Sequence, residues 1–271
     1  MNDSFDIFNE APALVPRMEP KKIILPNVRK LLIPDPGYAI FEADLTGADA
    51  QVVAWEAEDE ELKAAFRAGL DVHTKNAEDM WGREFTKLPE GSNARKKKRQ
   101  QNKVAVHLTN YGGRARALAA TQGWLVAEAE RFQKRWFSLH PGIERNFHGR
   151  VRQALQTNRT IYNRYGFRCV YFDRIDAVFG EALAWIPQST VAITTYLGGF
   201  ALEEKFPQVE ILLQVHDSLV FQFPLTSEPS AQEILAALRV ITPYDDPLTI
   251  PWELSRSEKS WGDVKKWGGK V

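Results

Sequence analysis

Cysteine is almost absent: the 271 residues contain one, Cys169. A single thiol excludes an intramolecular disulfide framework and a cysteine-rich zinc site, and it fits a reducing, cytoplasmic compartment. There is no Gly-rich loop ending in Gly-Lys-Ser/Thr, no Gly-x-Gly-x-x-Gly and no His-Glu-x-x-His, which removes the common phosphate-loop, dinucleotide and zinc-helix signatures. The five histidines (His73, His107, His140, His148 and His216) fall in different expected elements and offer no ligand spacing. Residues 1–10 are acidic and lack the basic and apolar blocks of a signal peptide. The most apolar long stretch, 186–202, contains Gln188, Ser189, Thr190, Thr194 and Thr195 and makes a poor membrane span, so no membrane partner is expected. Net charge is missing too, with 35 basic against 35 acidic side chains. Taken alone, this argues weakly against a nucleic-acid partner, but distribution matters more than the sum.

What is present is ordinary for a folded chain of one or two domains: 44% hydrophobic and 26% charged residues. Charge is clustered. Glu56, Glu58, Asp59, Glu60 and Glu61 form an acidic block; Arg95, Lys96, Lys97, Lys98, Arg99 and Lys103 form a basic one. The plain reading of either run is a solvated helix face.

Along the chain, prolines at 12, 16, 20, 26, 34 and 36 break any helix in the first 35 residues, which read as an extended arm with a short strand at 22–25. A turn at Asp35-Pro36-Gly37 leads into a strand over 38–43, with Asp44 at its end. Helices are expected over 48–57, 60–68 and 73–80, the last capped by Asp71, then over 94–110, 114–121, 126–137 and 143–157. A hairpin is expected around Gly166, a long helix over 178–202, and an apolar hairpin of 210–215 and 219–223 joined by His216-Asp217-Ser218. A helix over 230–240 and a strand over 249–254 close the chain. Helices interrupting an antiparallel sheet indicate the α+β class.

Two aspartates occupy similar places, Asp44 ending an apolar strand and Asp217 in the turn of an apolar hairpin. Carboxylates on neighbouring strands form a hard-oxygen site suited to Mg²⁺, and paired ions about 3.5–4 Å apart activate a hydroxyl and stabilise a leaving phosphate. The simpler reading of each residue alone is that turns favour Asp. On the long helix, Arg99, Lys103, His107 and Tyr111 recur every four residues, a step that drifts only about 40°. The stripe passes from two fixed cations to two flat rings, the polarity of a nucleoside triphosphate. An amphipathic surface helix with a basic start explains the same spacing. Val104 and Leu108, on an adjacent stripe, are candidates to pack inward. Core packing is the expected job of Trp55, Trp81, Trp136 and Trp185.

Taken together, these segments resemble family A DNA polymerases, the bacterial DNA polymerase I type also common in phages. Asp44-Leu45-Thr46-Gly47-Ala48-Asp49-Ala50-Gln51 resembles the first family motif, Asp-Tyr-Ser-Gln-Ile-Glu-Leu-Arg. Arg99, Lys103, His107 and Tyr111-Gly112 resemble the second, on the fingers helix. Gln214-Val215-His216-Asp217-Ser218-Leu219-Val220-Phe221 resembles the third, Gln-Val-His-Asp-Glu-Leu-Val-Phe. Connecting segments agree: Gly69-x-Asp71-Val72-His73, Phe137-x3-Pro141-Gly142, Gly166-Phe167-Arg168 and Pro187-Gln188-Ser189-Thr190.

The resemblance implies a palm sheet carrying the carboxylates over 36–271, with a helical fingers subdomain inserted at about 60–160 and no thumb. It implies a DNA-directed DNA polymerase acting on primer-template DNA and dNTP in a bacterial or phage-infected cytoplasm. Asp44 and Asp217 would be catalytic and hold two Mg²⁺ ions with the Leu45 carbonyl. Arg99 and Lys103 would grip the triphosphate; His107, Tyr111 and Asp49 would face its sugar and base; Gln188, His216 and Arg168 would meet DNA. Four positions depart from the family: Asp49 stands for a Glu that blocks a ribose 2′-hydroxyl, His107 for Phe or Tyr, Ser218 for a Glu, and Ala184 for an Asn. The absence of a thumb or nuclease segment leaves room for a separate polypeptide supplying one. Two other readings share these residues: a non-catalytic nucleic-acid-binding subunit or remnant of a split polymerase, and a two-metal nuclease, which has no use for the fingers stripe.

Overall fold

The computed structural model of the chain describes residues 26–268, so the strand expected at 22–25 lies outside it. In chain order the elements are β1 (Tyr38–Leu45), α1 (Ala48–Glu56), α2 (Glu60–Arg67), α3 (Val72–Trp81), α4 (Arg83–Thr86), α5 (Asn93–Asn110), α6 (Ala115–Gln122), α7 (Val126–Leu139), α8 (Gly149–Thr157), β2 (Thr160–Tyr162), β3 (Arg168–Val170), α9 (Ile175–Lys205), β4 (Glu210–Val215), β5 (Ser218–Pro224), α10 (Ala231–Ala237), β6 (Trp252–Ser257) and β7 (Lys265–Lys266).

β1 sits in the middle of an antiparallel sheet of order β4-β5-β1-β6-β7. Its apolar run explains the position. Ala39, Ile40, Phe41, Ala43 and Leu45 are all buried, and so is every residue of β5 from Ser218 to Phe223, as strands covered on both faces require. Phe41 stacks on Phe221 at 5.4 Å and meets Phe223 edge-on at 5.7 Å. α9 crosses this sheet closely because Gly198 offers no side chain; a Cβ there would lie 2.8 Å from the Trp252 ring.

The helices α2–α8 lie in the chain between α1 and α9; α2 packs on the sheet side through Leu62 and Ala65, whereas α3 and α5–α8 build a second core around Trp136, Phe147, Leu155 and Leu183. α1 and α9 contribute to both cores: Val52 and Val191 to the sheet side, Val53 and Leu183 to the helical side. Local capping follows the sequence. Asp59, Asp71 and Ser92 accept hydrogen bonds from the Leu62, Thr74 and Arg95 amides, each cap worth about 1 kcal/mol. The mixed, antiparallel architecture is the expected one.

Several boundaries differ. The helix expected over 178–202 runs Ile175–Lys205 and continues through Pro187. The one expected over 143–157 opens as a π-helical segment, Ile143–His148. α10 is shorter than 230–240, Ser230 being its cap. The last long strand begins after Pro251, whose nitrogen cannot donate, and so shifts from 249–254 to Trp252–Ser257. α4 and β7 were not expected.

The inward face of α5 also differs. Val104 and Leu108 are only partly covered, whereas Asn102, Ala105, Val106, Thr109 and Asn110 are buried. Three of these five are polar, and each has a partner. Asn102 accepts from the Trp81 indole at 3.0 Å, Asn110 accepts from the Trp136 indole at 2.7 Å, and Thr109 donates to the Ala105 carbonyl at 2.8 Å. A face built this way is invisible to hydrophobic periodicity.

Candidate active site

β4 and β5 are joined by a two-residue turn, with Val215 paired opposite Ser218. His216, at φ +56°, takes the left-handed conformation in that turn, which leaves Asp217 next to Ser218. The Leu45 amide donates to the Asp217 carbonyl at 3.0 Å and ties the turn to the end of β1. Register then places Asp44 opposite Ser218 on one side and Glu253 on the other. The two aspartates therefore meet at one end of the sheet. Partial desolvation, then the negative charges of Asp217, Glu42 and Glu253, push Asp44 up to about 6; Arg29, bonded to Glu42 at 3.1 Å, opposes the shift.

Asp44 and Asp217 border two clefts. The larger, about 660 Å³, is closed by α1, α5 and α9, and the smaller, about 330 Å³, by Arg29, Glu42, Glu253 and Ser255. Lys103, His107 and Tyr111 line the larger cleft along α5. The Tyr111 hydroxyl donates to Asp49 at 2.9 Å. Burial and the neighbouring Asp49 charge raise Tyr111, and burial raises Asp49 against the hydrogen bond it accepts. The His107 ring meets Tyr111 edge-on at 4.4 Å, and burial with the Lys103 charge lowers its basicity despite Asp49. Gly113 lets the chain turn back after α5: a Cβ there would fall 1.9 Å from the Leu108 side chain.

Not every expected residue faces this space. Leu45, Gln188 and His216 line the larger cleft. Arg99 is bound to Asp71 through two hydrogen bonds of 2.7 and 2.9 Å, with Thr74 at 3.1 Å, and is not among the lining residues. Burial would raise Asp71, but Arg99 and Thr74 hold it well below the usual carboxylate range. Arg168 lies exposed on β3 outside the cleft lining; its hairpin touches α9 beside Gln188 through Asn163 and Ser189 at 3.0 Å.

Two lining residues with polar side chains, His73 and Asn110, are outside the expected set. Burial, then the Lys103 and Arg99 charges, lower His73 to about 4, so it faces the cleft as a neutral imidazole. Its signal was in the Asp71-Val72-His73 stretch. Among the described residues no group of three or more His, Cys, Asp or Glu is gathered to hold a metal. The cleft thus sets a carboxylate pair on one wall against a cation and aromatic rings on the other, a layout for a ligand with anionic and flat parts.

The family model for DNA polymerase family A matches residues 15–262. The chain belongs to DNA polymerase family A. It is 29% identical to the thermostable DNA polymerase I of Thermus filiformis over 254 residues, and 26% identical to DNA polymerase I of Helicobacter pylori over 239. These alignments cover 89% and 84% of this family A chain but only 29% and 25% of the relatives. Its fold is similar to the polymerase domain of Pol1 from M. smegmatis, solved in complex with DNA primer-template and dNTP. That likeness has a TM-score of 0.71 at 21% identity and covers 86% of this chain and 42% of that one.

Proposed function

We propose that this chain is a palm-and-fingers module of a DNA-directed DNA polymerase that extends a primer 3′-hydroxyl with a dNTP, the fingers being residues at about 60–160. The observation that carries the reading is the meeting of Asp44 and Asp217 at the end of the sheet, facing Lys103, His107 and Tyr111 across one cleft. Family membership supports it, and so does the ligand set of the M. smegmatis structure.

The two carboxylates and the Leu45 carbonyl are an oxygen-only donor set, and the desolvation and neighbouring negative charge that lift Asp44 are what a hard divalent cation would offset. They would hold two Mg²⁺ ions, which when bound supply Lewis-acid activation of the hydroxyl and charge neutralisation on the leaving pyrophosphate. Lys103 binds the triphosphate as a point charge, and Arg99 reaches it by exchanging its bond to Asp71. His73, kept neutral, offers a hydrogen bond there without adding a proton load. Tyr111 and His107 present flat surfaces to the sugar and base, and Asp49 orients Tyr111. His216 and Gln188 stand where the primer terminus and the adjacent base pair would lie, and Arg168 reaches the DNA outside the cleft.

The test is primer extension by Asp44→Asn and Asp217→Asn. Each variant keeps its shape but loses a negative ligand, so extension should fall by about three orders of magnitude or more with an unchanged melting temperature. Near-wild-type extension by either variant would refute the assignment. A wild-type chain that binds primed template yet never incorporates dNTP would mark it as a non-catalytic subunit.

A further inference from the structure

A second aromatic cavity lies outside the cleft. It is a basin of about 420 Å³ between α3, α5 and α7. Trp81, Trp124 and Phe132 form its floor, with ring centroids 5.4–5.8 Å apart. From α5 it takes Lys98 and Gln101, which lie about 140–160° round the helix from Lys103. The basin therefore opens on the opposite side of α5 from the nucleotide-facing stripe.

Packing accounts for only part of this cluster. Trp81 is covered by the Lys98 ammonium, 3.5 Å over its ring, and its indole donates to Asn102. Phe132 is buried. Trp124 is half-buried and lines the basin. The rim is cationic: Lys98, Arg131 and Arg135 stand against Glu84 and Glu128. Lys98 and Glu84 pair at 2.7 Å and offset each other, and Glu128 accepts only from the neutral Leu125 amide at 2.8 Å, so the positive balance of the rim rests on Arg131 and Arg135 against Glu128. Arg135 donates to the Asp79 carbonyl, a neutral acceptor, and keeps its full charge. Arg131 is exposed on the same face of α7, four residues before Arg135. An aromatic floor under a cationic rim recognises a flat ring carrying an anion, the chemistry of base stacking with a phosphate contact.

We propose that this basin binds one unpaired nucleotide, its base against Trp124 and its phosphate on Arg131 and Arg135. The occupant comes from a single strand or from free nucleotide, and the site does not depend on catalysis in the cleft.

The test uses the full chain and a 12-nucleotide oligothymidylate, with 5-iododeoxyuridine for photocrosslinking and a fluorescent label for anisotropy. Crosslinks are expected on the tryptic peptide 117–131, which carries Trp124. Trp124→Ala should weaken binding about five- to tenfold, and Trp124→Phe less, because a smaller ring still stacks. Trp124 also packs on its neighbours, so Arg131→Ala, at an exposed position, is the second variant and should weaken binding without lowering the melting temperature. Full displacement of the oligonucleotide by thymidine 5′-monophosphate at matched nucleotide concentration assigns the basin to free nucleotide; displacement only by unlabelled strand assigns it to single-stranded DNA. Crosslinks confined to peptides of the cleft, or unchanged affinity in folded Trp124→Ala and Arg131→Ala, overturn the proposal.

Discussion

Asp49 shows how one methylene can set chemistry. The family motif has Glu at this place, whereas Asp49 is shorter and its carboxylate is held by the Tyr111 hydroxyl at 2.9 Å. In the proposed nucleotide pose, a retracted carboxylate would leave space beside the sugar 2′ position. Asp49→Glu is therefore expected to raise discrimination against ribonucleotides by about tenfold, the scale on which one methylene acts in a fitted pocket. The ratio of kcat/KM for dNTP to that for rNTP measures this; an equal ratio in wild type and variant would mean that another side chain fills the gap. Lys103 makes a second residue-scale case. It lines the cleft at the cationic end of the stripe, so under the proposed function Lys103→Ala should raise KM for dNTP, lower kcat, or both, by about tenfold overall. Primer-template affinity should hardly change. A large loss of duplex affinity with normal nucleotide kinetics would put α5 on the DNA instead.

At the scale of elements, the sheet and the helical insertion are locked by one buried carboxylate. Glu56, near the end of α1, accepts from Arg150 of α8 at 2.7 Å, from Arg164 of the β2–β3 hairpin at 3.0 Å and from the Tyr244 hydroxyl at 2.8 Å. Four separate segments meet on its two oxygens. Glu56→Gln leaves two guanidinium groups facing a neutral amide. Complete burial would make the loss about 3–5 kcal/mol, but Arg150 and Arg164 keep 40% and 34% exposure and can rehydrate, so about 2 kcal/mol is expected. Urea unfolding of the variant checks this. A change below about 0.5 kcal/mol would show that the segments are held by the apolar contacts alone. Element boundaries were legible where a cap or turn marks them, as at Asp59, Asp71 and Ser92. They slipped where a helix runs on through Pro187 or a strand waits for Pro251, because those choices depend on neighbouring elements.

For the whole molecule, the neutral charge balance takes on structural meaning. Much of the basic block on α5 is spent internally: Arg95 pairs with Glu78, Lys98 with Glu84 and Arg99 with Asp71. Affinity for duplex DNA rests mainly on cations free to meet phosphates. This chain alone is therefore expected to bind primer-template more weakly than about 1 μM at physiological salt, and distributively, with a steep loss as salt rises. Duplex affinity measured across a salt series decides it; tight, salt-insensitive binding by the chain alone would reveal a DNA surface other than these paired cations.

The α+β class, the apolar strands that must be central, the capped helix starts and the order of the motifs can all be read from the sequence. All of these are local properties: runs of apolar side chains, turn formers and fixed spacings along one element. It also marked Asp44, Asp217, Lys103, His107 and Tyr111, because residues on one strand end or one helix stripe share a direction whatever surrounds them. Tertiary structure decided which of them meet. Register between β1 and β5 put the two aspartates side by side, and the packing of α3 on α5 turned Arg99 toward Asp71 and brought His73 into the cleft. The aromatic basin, too, is assembled from residues as far apart as Trp81 and Phe132, whose rings converge only when three helices pack.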